Sequence, residues 1–218
     1  MIKLSQTTKM PGKSWSLPAG STCPGSYDQS GQVVPACAIC YAKVGNYAYP
    51  APARAREHNR HDWKRDAWVA DMIRELSMET WFRWFDSGDI HHPELAQKIL
   101  AVIRGTPNTR HWLPTRSFVV PRIREVLEQI RLEPNATVRY SSGSATGEYG
   151  PEHGSTVIPH ADWPTTASVC PSSQQGNRCL HCRNCWDKSI PVIAYVGHGI
   201  LLWHQRRKEQ QLTEAVVK

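Results

Sequence analysis

The chain has 218 residues, 40% of them apolar, with nine Trp, 14 Gly and 16 Pro; that is material for one sizeable core and excludes a disordered or collagen-like chain. Its formal net charge is +7 and its mean hydropathy −0.50, and no apolar run approaches the roughly 18 residues of a membrane span. The N-terminal stretch lacks the apolar core of a secretory leader, so the expectation is a single domain over residues 1–218, cytoplasmic and without a membrane partner.

A first helix is expected from Pro52 to Met78, with Trp68, Val69, Met72, Ile73 and Leu76 on one face. The aromatic run Trp81–Phe85 reads as a strand that ends in the turn Asp86-Ser87-Gly88-Asp89. Pro93 opens a helix striped by Leu95, Ile99, Val102 and Ile103 that closes near Gly105. His111-Trp112-Leu113 leads as a strand into Pro114–Ser117, and Pro121 starts a third helix with Ile123, Val126, Leu127 and Ile130 at helical spacing. Ala136–Tyr140 is a β-rich run ending in Ser141-Ser142-Gly143. The Gly-, Ser- and Pro-rich segment Ser144–Thr165 is expected to be a long irregular loop. Late strands are expected at Thr166–Val169 and Val192–Val196, and a helical tail from Leu201. Strands alternating with helices imply βαβ units and a parallel sheet. Polar motifs at successive strand ends favour a partial α/β barrel, in which that rim carries the chemistry. An open doubly wound sheet is the alternative, though its Gly-rich dinucleotide fingerprint is absent.

Seven cysteines fall into two groups: Cys23, Cys37 and Cys40, then Cys170, Cys179, Cys182 and Cys185. An odd count without a leader argues against a secreted disulfide framework and for metal, catalysis or burial. In the second group two C-x2-C steps crowd three thiolates into one loop, with a fourth upstream. Iron–sulfur ferredoxins use such runs, whereas structural zinc pairs two separated knuckles. His181 lies inside this loop and reads as a local donor or a solvent-exposed side chain rather than a ligand. Three thiolates in the first group suit a [4Fe–4S] cluster with one iron left open; Cys37-x2-Cys40 alone would also allow a thiol redox pair.

The motifs C-P-G (Cys23–Gly25), C-A-I-C-Y-A (Cys37–Ala42), S-G-D (Ser87–Asp89), P-T-R-S (Pro114–Ser117), R-Y-S-S (Arg139–Ser142) and the closing C-x2-C-x2-C-W at Trp186 resemble the phage gene product 88 family. That pattern is similar to radical S-adenosylmethionine enzymes, which are partial (β/α)6 TIM-like barrels with a three-cysteine [4Fe–4S] cluster. The resemblance implies a host-cell cytoplasmic iron–sulfur protein with one or two clusters, S-adenosylmethionine as a cofactor, and redox or radical chemistry on a substrate. It implies that Cys23, Cys37 and Cys40 ligate the first cluster and Cys170 to Cys185 an auxiliary one. Ser87, Gly88 and Asp89 would face the cofactor's ammonium, Arg116 its carboxylate, and Ser141 and Ser142 its ribose. The first cysteine interval departs from the pattern, with thirteen residues where those enzymes carry three. One cluster built from both ends of the chain is a related arrangement.

Basic residues crowd one helix (Arg54, Arg56, Arg60, Lys64, Arg65) and the middle of the chain (Arg104, Arg110, Arg116, Arg122, Arg124, Arg131, Arg139), interleaved with Trp63, Trp68, Trp81, Trp84 and Trp112. This suits nucleic acid as a partner, and a metal-stapled nucleic-acid binder is the alternative function. Glu57, Asp62, Asp66, Glu125 and Glu128 on the same helices suit solvated faces instead. Of the histidines, His153, His160 and His198 are the ones expected near a barrel mouth.

Overall fold

A computed structural model describes residues 1–197. Eight strands form two sheets. In the first, β1 (Ser5–Gln6), β2 (Lys13–Trp15), β3 (Trp81–Trp84), β4 (Arg110–Thr115) and β5 (Ala136–Tyr140) lie in sequence order, parallel except for the β1–β2 pair. In the second, β6 (Ser155–Ile158), β8 (Ile193–Val196) and β7 (Ser168–Val169) are parallel in that spatial order. A single parallel bridge from Ser141 to Ser155 links β5 to β6. The chain is therefore a mixed α/β protein with an open, mostly parallel five-stranded sheet, not a closed barrel among the described residues.

Among the described residues five α-helices accompany the strands: α1 (Pro35–Ala38), α2 (Pro50–Asp62), α3 (Trp68–Leu76), α4 (Pro93–Gly105) and α5 (Pro121–Leu132). Pro sits at the start of α2, α4 and α5, where its fixed φ suits a helix and its missing N–H costs nothing. The strand period of two divides the first sheet into two faces. Trp15, Phe82, Trp84, Leu113, Ala136 and Tyr140 share the main core with α3, α4 and α5. Trp15, Trp68 and Trp84 are fully buried and mutually in contact, with ring centroids 5.3 to 6.4 Å apart. The opposite face carries the aligned row Ser14, Arg83, Trp112 and Thr137, and beside it the pair Pro114 and Arg139. That face looks onto the cysteine loops.

The helix at Pro93–Gly105 and the strand Ala136–Tyr140 stand where the periodicity puts them. Two expectations change, and one stretch without an assigned element gains strands. The helix over Pro52–Met78 is two helices, broken at Trp63–Ala67. There the Asp62 carboxylate takes two hydrogen bonds from Arg65 (2.7 and 3.1 Å). Lys98, reaching over from α4, caps the carbonyls of Trp63, Lys64 and Arg65 at 3.1 to 3.3 Å. The segment Ser144–Thr165 contains β6, whose residues pair with β8 far along the chain. The stretch before Cys23 adds two strands, β2 aligning Trp15 with Trp84. Leu201 onwards lies outside the described residues, as does His198.

Candidate functional site

The first cysteine group is set by a loop rather than by sequence spacing. Between Cys23 and Cys37 the chain folds back on itself: Tyr27 bridges Val33 antiparallel, and Val34 N–H donates to Ser26 O at 3.0 Å. The Asp28 carboxylate closes the turn by accepting from the N–H groups of Ser30 and Gln32, both at 2.9 Å. The thirteen-residue interval is thus looped out, and Cys23 returns beside the α1 turn that carries Cys37. Burial pushes the Cys23 thiol up to about 12, with the Asp89 carboxylate and the Cys37 and Cys40 sulfurs adding to it. Burial pushes Cys37 up to about 11, opposed by the Arg116 guanidinium.

The second group hangs on one arginine. Arg139, 2% exposed on β5, donates to five backbone carbonyls. Its Nε reaches Cys185 O at 3.1 Å, and its two terminal nitrogens reach Gly154, Ile190, Asn184 and Asp187 at 2.6 to 3.2 Å. Every guanidinium N–H is used, so the loop backbone is fixed without a carboxylate partner. Thr137 Oγ1 donates to Trp186 O at 2.8 Å, and Trp186 Nε1 donates to Phe82 O at 2.9 Å. Cys179 N–H donates to Lys9 O at 2.8 Å, which ties the loop to the N-terminal segment. Burial pushes Cys185 up to about 11, with the Tyr195 hydroxyl 3.3 Å from its sulfur. Burial also raises Cys179, and the Cys170 and Cys182 sulfurs add to it.

Both groups face one cavity of about 320 Å3. Cys23, Cys37 and Cys40 line it from one side of the chain's sequence, and Cys170, Cys179 and Cys185 from the other; Cys182 is set back from the wall. All seven thiols are free. Among the described residues, no three or more His, Cys, Asp or Glu side chains stand close enough to hold a metal ion. A single ion draws its thiolates into a tight tetrahedron, with Zn–S about 2.3 Å, whereas an iron–sulfur cluster spreads them over the corners of an inorganic cube. The donor set on this wall is thiols from two loops distant in the sequence.

Ser87, Gly88, Asp89, Arg116, Ser141 and Ser142 line the same cavity. Most of their polar atoms tie rim loops together. Ser87 Oγ donates to Leu17 O (2.9 Å), and Ser142 Oγ donates to Glu148 O (2.5 Å). Ser141 Oγ accepts from Ser155 Oγ at 3.2 Å. The buried Asp89 carboxylate accepts from Thr115 Oγ1 (2.7 Å), Arg116 N–H (2.8 Å) and its neighbour Ile90 N–H (2.8 Å). Burial nevertheless raises its pKa. Arg116 Nε donates to Gly25 O at 2.7 Å and Nη1 to Ser141 O at 2.6 Å, clamping the first cysteine loop onto the ends of β4 and β5. Gly88, at φ +73°, packs where a Cβ would lie 2.6 Å from Leu17 Cβ and 2.7 Å from Thr22 Oγ1.

Sequence reasoning missed Arg83, Trp112 and Tyr195, which also line the cavity. The available signal was their place in strands of a parallel sheet, where both faces are covered and a polar residue faces something specific. His153 and His160, expected near the mouth, are not on the cavity wall: His153 Nδ1 accepts from Gly150 N–H at 2.9 Å, and the His160 ring lies 5.5 Å from that of Trp163. His181 is exposed.

Fold and site together define a mixed α/β protein with a cysteine-lined cavity at the strand C-terminal rim. The chain belongs to the Gene product 88 family, whose model matches residues 2–188, a span that takes in both cysteine groups. No curated protein and no solved structure matches the chain. No helix among the described residues is long and apolar enough to cross a membrane.

Proposed function

We propose that this phage-family chain is an iron–sulfur protein whose cavity holds two clusters, in the manner of a partial (β/α)6 barrel, and serves redox or radical chemistry on a small substrate bound between them. The observation that carries the reading is the convergence of two distant cysteine groups on one cavity. Cys23, Cys37 and Cys40 would hold an open cluster and Cys170, Cys179, Cys182 and Cys185 a closed one. A bound cluster supplies one-electron chemistry that no side chain of the cavity offers. The chain's own part is to position, desolvate and charge-balance. Arg116 clamps the first loop and favours the Cys37 thiolate. Arg139 fixes the carbonyls of the second loop, Cys185 and Asn184 among them. Because burial raises Cys23, Cys37 and Cys185, ligation must displace their protons, and loading rises with pH.

S-adenosylmethionine belongs to the same proposal at the rim formed by Ser87 to Asp89, Arg116, Ser141 and Ser142. The side chains of Ser87, Asp89 and Ser142 are engaged within the protein, so recognition there would fall chiefly to backbone groups. The nucleic-acid alternative draws less support. Arg116 and Arg139 turn inward, while Arg65, Arg104, Arg124 and Arg131 pair with carboxylates.

Anaerobic purification followed by iron, acid-labile sulfide and zinc analysis tests the reading. Iron with matching sulfide is expected; a colourless, zinc-loaded protein without sulfide would overturn it. Reductive incubation with S-adenosylmethionine is then expected to yield 5′-deoxyadenosine. Intact clusters that release none would leave the iron–sulfur reading standing and remove the cofactor.

A further inference from the structure

Arg83 and Arg139 stand on the same face of the sheet, and their surroundings differ in one respect. Arg139 meets five carbonyls. Arg83 meets weak, neutral partners: Nη2 donates to the Tyr41 hydroxyl at 3.3 Å, and Nη1 lies 3.7 Å from the Met10 thioether. Its Nε is the one guanidinium nitrogen among the described residues that is buried without an acceptor. No carboxylate oxygen of the described residues lies within 4.0 Å of its nitrogens. Asp86 is the nearby counter-charge, yet its oxygens are taken by the hydroxyls of Ser16 and Tyr47. A charge held out of water with poor partners is costly, and such a group persists where something else satisfies it.

The position of Arg83 is fixed from below. It pairs across strands with Trp112, and its guanidinium lies 4.5 Å from the centroid of that indole. This cation–π contact braces the guanidinium at the cavity wall without using its N–H groups. Arg83 and Trp112 both line the cavity, as do Lys9 and Arg116. A cavity of about 320 Å3 suits a small molecule rather than a polymer.

We propose that Arg83, braced by Trp112, is the recognition residue for an oxyanion (a carboxylate or phosphate group) on the small molecule that enters this cavity. The proposal does not depend on which metal or cluster the cysteines hold. It goes beyond the redox reading by giving the substrate an anionic group and a fixed end.

Intrinsic tryptophan fluorescence of the full chain, purified anaerobically, is titrated with inorganic phosphate and separately with malonate, chloride keeping the ionic strength constant. A saturable change is expected with at least one of the two, and which one responds assigns the group as phosphate or carboxylate. Arg83→Gln is expected to weaken that response about tenfold or more, and Arg83→Lys, which keeps the charge but loses the fork, to weaken it less. No saturable change with either anion would overturn the proposal, as would a folded Arg83→Gln protein that binds within twofold of the parent. Should Arg83→Gln fail to fold by circular dichroism, Arg83→Lys decides: binding weakened more than twofold supports the assignment, and binding within twofold of the parent overturns it.

Discussion

The two halves of the molecule are held together by different forces. From β2 to β5, helices return each strand to the next, and the sheet buries aromatic and aliphatic side chains against α3, α4 and α5. From β6 to β8 no helix of more than one turn intervenes; the connections are loops, and the apolar packing splits into two small clusters, Ile158, Ala167 and Ala194 on one side and Cys185, Trp186 and Ile193 against Trp112 and Met10 on the other. What replaces the missing apolar area is polar: five hydrogen bonds from Arg139, one each from Thr137 and Trp186, and the second cysteine group. A region too small to bury enough apolar surface needs staples. Its structural residues are then the ones on which the proposed function also rests.

On the proposed reading, in which the cysteines hold metal, the comparison breaks most sharply when that metal is removed. Chelation under reducing conditions is expected to abolish amide-exchange protection across β7 and β8 while leaving α4 protected. Uniform loss in both halves would show that they form one cooperative unit. Arg139→Met comes next. It leaves five carbonyls without their donor, and we expect a loss of about 4 kcal/mol, read first in the second half by exchange and then in global denaturation. Trp84→Ala, in the first half, is expected to cost about 3–5 kcal/mol through cavity formation, with exchange lost from α4 and β3 outward.

A smaller effect separates the halves by pH. His111 is 1% exposed, and burial lowers its pKa from 6.5 to about 3. The unfolded chain therefore binds a proton that the folded chain refuses. Stability is full above pH 6.5 and falls with pH towards 3; the loss between 6.5 and 5 is about 2 kcal/mol. His111→Gln is expected to flatten this slope, measured by urea melts across that range. The smallest effect is Lys98→Met, expected to cost about 1 kcal/mol by removing the cap on the carbonyls of Trp63, Lys64 and Arg65.

The contrast between the halves also explains what could be read from the chain beforehand. Helices α4 and α5 announce themselves because a stripe of apolar residues at helical spacing, opened by Pro, leaves little choice. The break between α2 and α3 carries no Gly or Pro; it depends on Lys98, thirty-odd residues further on. Strands β2 and β6 are three and four residues long, too short for a period to register, and their parallel partners β3 and β8 are distant in sequence. At the site, the candidate residues named from the motif resemblance line one cavity, Cys182 excepted. It gave no hint that Asp89 and Ser87 spend their polar atoms inside the protein, or that Arg83 and Arg139 face inward. Those facts follow from strand register, which a charged residue in a β-run signals without saying which face it takes.

The most direct test of two clusters in one cavity is iron and acid-labile sulfide content, measured on the anaerobically purified chain and on two variants. One carries Cys23→Ser, Cys37→Ser and Cys40→Ser; the other carries Cys179→Ser, Cys182→Ser and Cys185→Ser. About eight irons per chain are expected in the parent, four for each cubane, and each variant should retain about half. A parent without iron and sulfide, or two variants that each lose all of both, would contradict the account.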